Sequence, residues 1–465
     1  MLGRYVLTTK HPLRIAIAGL GTVGSATLDM LEKNRDLICQ RAGRNLQVVA
    51  VAARDKTKHL QKIKNGIQWF DNACDLAPLP TVDVVVVLIG GDDGIALKTT
   101  ETALRNGKSV VTANKALMAT HGVRLSEIAE ETGAQLMFEA AVAGEIPVIK
   151  TLREASAGDR ITSVQGILNG TCNYILTRIG EDGLTFEEAL KEAQNKGFAE
   201  AEPSLDVDGH DTAHKLALLA ALAFGIPPSF NDVSVEGIRN VSSLDIHFAN
   251  ELGYKIKLLG TARLTDRGLE KYVGPCLVPK HSVLANTNDV LNAVSIQIDT
   301  LDPITLTGRG AGGKPTASAV VADLMDLARG SSVLPFGIPA AMLKNVSPAL
   351  CEEKLSSWYI RMRVFDKPGA LTSVSTIFSQ KSISIESVIQ RGQPGLESVP
   401  VIIKTHEVSE SAMRWALAKI SKLETIQETP CAFRVEEPAH EDCPDSPNRM
   451  CQRAPEGMGK PFNLG

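Results

Sequence analysis

Residues 14–33 read RIAIAGLGTVGSATLDMLEK: a short apolar run, a glycine loop, and a segment whose apolar residues recur at helical spacing. The loop, Gly19-Leu20-Gly21-Thr22-Val23-Gly24, is a G-x-G-x-x-G in the strand-to-helix context that gives the motif its meaning. The first glycine permits a tight turn, and the second lets a pyrophosphate reach the backbone at the positive helix N-terminus. The third lets helix and strand pack closely. This stretch predicts the opening unit of a dinucleotide-binding sheet, with Gly19, Gly21, Thr22, Val23 and Gly24 as cofactor contacts.

Working outward, residues 46–53 (LQVVAVAA) read as a second strand. It runs into Arg54, with Lys56 and Lys58 beyond, rather than into the carboxylate that would hold ribose hydroxyls. A cation there can receive a 2′-phosphate, so NADP(H) is expected over NAD(H). Residues 82–89 (VDVVVVLI) suit a central parallel strand. Residues 109–112 (SVVT) form another, delivering Asn114 and Lys115 to the carboxyl end of the sheet, where ligands of open α/β sheets gather. A helix over 117–130 and a strand over 134–139 complete the pattern. The expected fold class is α/β, with a doubly wound Rossmann domain over residues 12–142.

Strict alternation then stops. Strands over 163–168, 257–264 and 270–278, interleaved with helices, predict an α+β substrate-binding domain over 143–307. At 308–316 the chain reads GRGAGGKPT and opens another helix. That predicts a return to the nucleotide, completing the first domain with 308–340 and bringing Gly312 near the nicotinamide.

The highest density of charge lies at 197–215, GFAEAEPSLDVDGHDTAHK, where Glu200, Glu202, Asp206 and Asp211 precede or open an amphipathic helix that holds Lys215. An i,i+4 pair of Asp211 and Lys215 alone would be a surface feature of about 0.2–0.5 kcal/mol. So many carboxylates beside an irregular Gly- and Pro-containing segment point instead to a polar ligand.

The chain has 465 residues, 44% hydrophobic and 22% charged, which predicts a soluble protein of several domains. A net charge of -4 excludes an electrostatic case for nucleic-acid binding. The eight cysteines form no C-x-x-C pair, so structural zinc and a disulfide framework are not indicated, and a cytoplasmic location is expected. Neither a signal core nor a membrane span is evident.

The motifs GLGTVG (19–24), VVTANK (110–115), FEAAVAGEIPVI (138–149), ILNGTCNYIL (167–176), the 197–215 block and GRGAGGKPTASAV (308–320), in this order, resemble homoserine dehydrogenases. The resemblance implies reduction of L-aspartate 4-semialdehyde to L-homoserine by NAD(P)H, on the route to threonine, isoleucine and methionine. It implies Lys215 as proton donor and Lys115 beside the nicotinamide and substrate. Glu200 and Asp211, with Asp206, become substrate-binding carboxylates, and Gly197 and Gly312 nucleotide contacts. It also implies a sodium ion between domains at Glu139, Val142, Gly144 and Ile146, and a homodimer or homotetramer. Arg309, Cys172 and Val87 depart from the usual residues. Two other classes fit parts of the sequence. One is an acylating semialdehyde dehydrogenase using Cys172 at a helix N-terminus, where a thiol pKa is lowered. The other is a non-catalytic nucleotide sensor.

Residues 350–437 predict a βαββαβ unit. Its VFDKPGALTSVSTIF stretch (364–378) resembles an ACT domain, which implies a regulatory site for an amino acid, threonine above all. Asp366 at the strand end would receive the effector ammonium, and Gly369 would leave helix N–H groups for its carboxylate. Residues 438–465 are polar and predicted disordered.

Overall fold

The computed structural model describes residues 11–62, 66–347, 349, 355–391 and 397–436. The predicted tail, the turn at 392–395 and the 350 boundary lie outside them. The first sheet comprises β1 (Leu13–Ala18), β2 (Leu46–Ala52), β3 (Gln68–Phe70), β4 (Val84–Val87), β5 (Ser109–Thr112) and β6 (Leu136–Met137). Their order is β3-β2-β1-β4-β5-β6, and every pairing is parallel. Both faces are covered. Ala16, Ala18, Val85, Val87 and Val110 enter one core, while Ile15, Ile17, Val84, Val86 and Val111 enter another. A strand buried on both sides has no polar face to show, which is why these runs are apolar without alternation.

The glycine loop behaves as its spacing predicts. A Cβ on Gly24 would lie 2.0 Å from the Gly19 carbonyl oxygen, so helix Thr22–Lys33 can approach β1 only with glycine there. Gly21, by contrast, faces open space where a ligand could approach. Helix Gly313–Arg329 packs against Thr22–Lys33, and a Cβ on Gly313 would meet Thr22 at 3.0 Å. The second glycine-rich turn therefore does return to the first.

The other sheet is mixed and has eleven strands, two short ones among them. The substrate-side strands are β7 (Ile161–Ile167), β8 (Ser234–Val235), β9 (Tyr254–Thr265), β10 (Gly268–Pro279), β11 (Leu291–Ile298) and β12 (Ile304–Arg309). The C-terminal strands are β13 (Leu355–Phe365), β14 (Ile385–Gln390), β15 (Ser398–Thr405), β16 (Val408–Ser409) and β17 (Cys431–Val435). With helices Ala370–Ser379 and Glu410–Ile420 the C-terminal strands make the expected βαββαβ order. The sequence reading, which treated the two segments as separate, did not anticipate that they share a sheet. β17 pairs in parallel with β10 through Cys276↔Arg434 and Leu277↔Val435. Polar contacts reinforce this joint: the Tyr359 hydroxyl (3.1 Å) and Arg361 Nε (2.7 Å) donate to buried Asp245. Gln165 Nε2 donates to Glu436 (3.0 Å), and the Arg434 guanidinium lies 3.5 Å from the Tyr272 ring centre.

A candidate active-site cleft between the sheets

Three chain segments converge on Asp211. Lys115 opens helix Lys115–Thr132 at the end of β5, where the Asn114 side chain accepts from Leu117 N and donates to the carbonyls of Ile89 and Gly91. An asparagine cap sets the helix start, so it begins at Lys115 and not at 117. Helix His210–Phe224 begins one residue before Asp211, after a left-handed Gly209 (φ 86°). The third segment is the turn into helix Gly170–Asp182, capped by Asn169, whose side chain accepts from Cys172 N.

Lys115 Nζ lies 2.8 Å from Asp211 Oδ1, and Lys215 Nζ lies 2.8 Å from Asp211 Oδ2. Lys215 also donates to the Leu168 carbonyl at 2.7 Å. An ammonium has three N–H groups, so one on Lys215 is left without a partner among the described residues. Asn169 Nδ2 donates to both Asp211 (2.9 Å) and Asp206 (2.7 Å). Burial pushes the Asp211 carboxyl up, but the ammonium groups of Lys215 and Lys115 outweigh it and hold the acid well below the ordinary range. Burial lowers Lys115, and Asp211 more than offsets this, leaving it raised. Asp206 moves the other way, raised by burial with help from the Asp211 charge, despite the Asn169 hydrogen bond. Neighbouring carboxyls pushed in opposite directions are a mark of acid and base work. The Lys115 side chain is 38% exposed and that of Lys215 only 10%, so Lys115 is the more accessible to a ligand.

These groups line a cleft of about 900 Å³ between the two sheets. Gly197, Glu200, Asp206, Asp211, Lys215, Lys115 and Gly312 all border it, so residues nearly two hundred positions apart in sequence share one wall-to-wall space. Glu200 is exposed at the rim. Glu202 also borders the cleft, and its carboxylate accepts from the backbone N–H and hydroxyl of Ser204 at the start of the short helix Ser204–Val207, which the sequence reading left irregular.

The matched family models are "Homoserine dehydrogenase, NAD binding domain" over residues 19–139 and "Homoserine dehydrogenase" over 147–325. A homoserine dehydrogenase of Pseudomonas aeruginosa is 43% identical over 440 residues, covering 92% of this chain and 99% of that one. The chain belongs to the homoserine dehydrogenase family. It is thus an NAD(P)-dependent oxidoreductase. Among solved structures, the homoserine dehydrogenase of Thiobacillus denitrificans superposes with a TM-score of 0.87 at 39% identity, over 92% of this chain and 99% of that one. A hyperthermophilic archaeal homoserine dehydrogenase in complex with NADPH superposes with a TM-score of 0.59 at 26% identity, over 70% of this chain and 99% of its own.

Cys172 is not set up as an acylating nucleophile. It is buried, its thiol donates to the Asp206 carbonyl at 3.1 Å, and burial with the Asp206 and Asp211 charges pushes its pKa well up. Burial first, and then the nearby anions, outweigh what the helix start would do to the thiol. Arg54 stands exposed just after β2, while Asp55 beside it turns back to accept from Thr57 (2.6 Å).

The segment proposed from resemblance for a cation has a suitable backbone. Ala143 and Gly144 are consecutive left-handed residues (φ 56° and 55°), and a Cβ on Gly144 would approach the Arg309 carbonyl oxygen to 2.7 Å. This wedges 142–146 against the second glycine-rich turn. Both Glu139 oxygens accept backbone N–H groups, from Ile149 (3.0 Å) and Lys150 (2.8 Å). Burial, then Asp323, raises the Glu139 pKa to about 7. Among the described residues no cluster of three or more acidic, histidine or cysteine side chains could hold a metal, so an ion at 142–146 would be held mainly by carbonyls. That donor set suits a hard cation.

Sequence reasoning gave no role to Asn169 or to the Leu168 carbonyl, which together hold the centre. The available signal was an Asn-Gly-Thr opening a helix, a capping pattern. Asp366 and Gly369 are exposed, the first directly after β13 and the second left-handed (φ 90°) before helix Ala370–Ser379, well apart in sequence and fold from the cleft.

Proposed function

We propose that the chain reduces L-aspartate 4-semialdehyde to L-homoserine, with NADPH favoured as hydride donor. The observation that carries this is the Lys115–Asp211–Lys215 bridge in a cleft bordered by Arg309, Ala311 and Gly312 of the second glycine-rich turn. Hydride addition to an aldehyde puts negative charge on oxygen, and a fixed ammonium near that oxygen lowers the barrier and supplies the proton. Lys215 is the donor in this reading, with one N–H uncommitted. Lys115, the more accessible ammonium, steadies the oxygen and the nicotinamide side. Asp211 holds Lys115 protonated and anchors Lys215 by an ion pair, so the substrate ammonium falls to Glu200 and Asp206, a narrower role for Asp211 than the sequence suggested. Gly19, Gly21, Thr22, Val23, Gly24, Gly197 and Gly312 would hold the dinucleotide, which supplies the hydride when bound, and Arg54 its 2′-phosphate.

A sodium ion at the carbonyls of Glu139, Val142, Gly144 and Ile146 would brace the joint between sheets. The C-terminal βαββαβ unit acts as an ACT-like regulatory domain over 350–437, taking threonine between Asp366 and the helix start at Gly369. We place the enzyme in the cytoplasm as a homodimer or homotetramer. The domain limits 12–142 with 308–340, and 143–307, belong to the same reading. The deciding experiment is NADPH and NADH oxidation with aspartate semialdehyde, with and without sodium and threonine. No semialdehyde-dependent oxidation would reject the function and favour a nucleotide sensor.

A further inference from the structure

Asn292, at the start of β11, is 1% exposed and borders the cleft, and among the described residues neither its amide nitrogen nor its oxygen has a hydrogen-bond partner. Leaving both halves of a buried amide unpaired is costly, and native proteins tolerate it where a ligand completes the bonds. The side chain lies on Gly310 of the second glycine-rich turn: a Cβ there would sit 1.9 Å from Asn292 Nδ2. On its other side a Cβ on Gly170 would reach Asn292 Oδ1 at 3.5 Å. Two glycines thus leave the amide its position between the cofactor-side turn and the substrate-side helix start.

The backbone before Asn292 is pinned. Asn173 Nδ2 donates to the carbonyls of Thr287 (3.0 Å) and Leu291 (3.1 Å), and buried Lys257 donates to Thr287 O (2.6 Å) and Asn288 Oδ1 (3.2 Å). The backbone that carries the amide is therefore held in place.

We infer that Asn292 receives the carboxamide of the nicotinamide ring, fixing the ring for hydride transfer. A primary amide offers one donor edge and one acceptor edge, and the carboxamide is the group on the reacting ring that presents the complementary pair. The amino-acid end of the substrate has charged partners in Glu200 and Asp206, and its carbonyl has the lysines, whereas the other side-chain amides on the cleft wall, Asn114 and Asn169, already have both amide edges engaged within the protein. This inference rests on the reading of the cleft as the hydride-transfer site.

The test compares equilibrium binding, by calorimetry, of NADPH and of its reduced acetylpyridine analogue, in which a methyl replaces the carboxamide NH₂. Wild type should bind NADPH about tenfold more tightly than the analogue, the value of one lost hydrogen bond. Asn292→Ala, with no partner to offer, should bind both alike. Asn292→Asp keeps the acceptor and should retain the discrimination while weakening both. Because each ratio is taken on one protein preparation, a partly unfolded sample does not distort it. An unchanged ratio in Asn292→Ala, or a loss seen only in the KM for semialdehyde, would overturn the assignment. If instead the hydride-transfer reading itself is wrong, wild type will show no semialdehyde-dependent turnover, a result independent of these ratios.

Discussion

Asp211→Asn removes the one charge that two ammonium groups share. Each lysine nitrogen lies 2.8 Å from an Asp211 oxygen, so both would remain close together facing a neutral amide. Breaking a buried ion pair by deleting one partner costs about 3–5 kcal/mol. The lower end applies here because Lys115 is 38% exposed and water screens it. At roughly 2–4 °C per kcal/mol for a domain of this size, the melting point should fall by roughly 6–12 °C. Turnover should fall by about 10²–10³, the usual cost of disordering charge stabilisation at a developing oxyanion, while NADPH affinity changes little. The pH dependence carries a sign. Asp211 is depressed in the folded protein, so the stability it contributes is fully present above an ordinary aspartate pKa of ~3.9 and is lost as pH falls below that toward its folded value. Wild type should lose stability below about pH 4 more steeply than Asp211→Asn. Steady-state kinetics and thermal melts across pH measure both effects. A variant with turnover within about threefold of wild type and the same acid limb would refute the bridge as the working centre.

Lys215→Ala and Lys115→Ala should each lower kcat by about 10² or more with circular dichroism unchanged; wild-type turnover in either would remove that lysine from the mechanism. Arg54→Ala should raise the KM for NADPH far more than that for NADH, and equal losses would mean that another group reads the 2′-phosphate. Cys172→Ser should keep most of its activity, and thiol alkylation at neutral pH should leave wild-type turnover intact, since the thiol is buried with a raised pKa; inhibition traced to Cys172 would reopen an acylating role. Asp366→Ala should leave basal turnover unchanged and abolish any response to threonine, by a coupling of about 1–3 kcal/mol; a full response retained in the variant would place the effector elsewhere.

The shared sheet bears on how regulation could be studied. With Asp245 held by Tyr359 and Arg361, and β10 paired to β17, removing the C-terminal unit would strip partners from buried charges. Point changes at Asp366 are therefore the sounder probe than truncation.

Local patterning was enough to determine five of the six strands of the first sheet, because strands buried on both faces write themselves as apolar runs and the glycine loop writes its own turn; the short, half-exposed edge strand β3 has no such run and was not foreseen. It also determined which residue types carry charge to the ligand: the lysine after β5 and the acidic run at 197–215 are visible at fixed spacings. Tertiary structure alone decided which charges meet. Asp211 and Lys215 are neighbours by helical periodicity, but Lys115 comes from another sheet and Asn169 from another helix start, and no periodicity encodes a contact across 96 or 42 positions. The same holds for the pKa of Cys172, where the local helix start argued one way and burial beside two distant carboxylates argued the other and won. The union of the catalytic and C-terminal strands was equally invisible, since a strand's sequence reports how much of it is buried and says nothing of which strand will lie beside it.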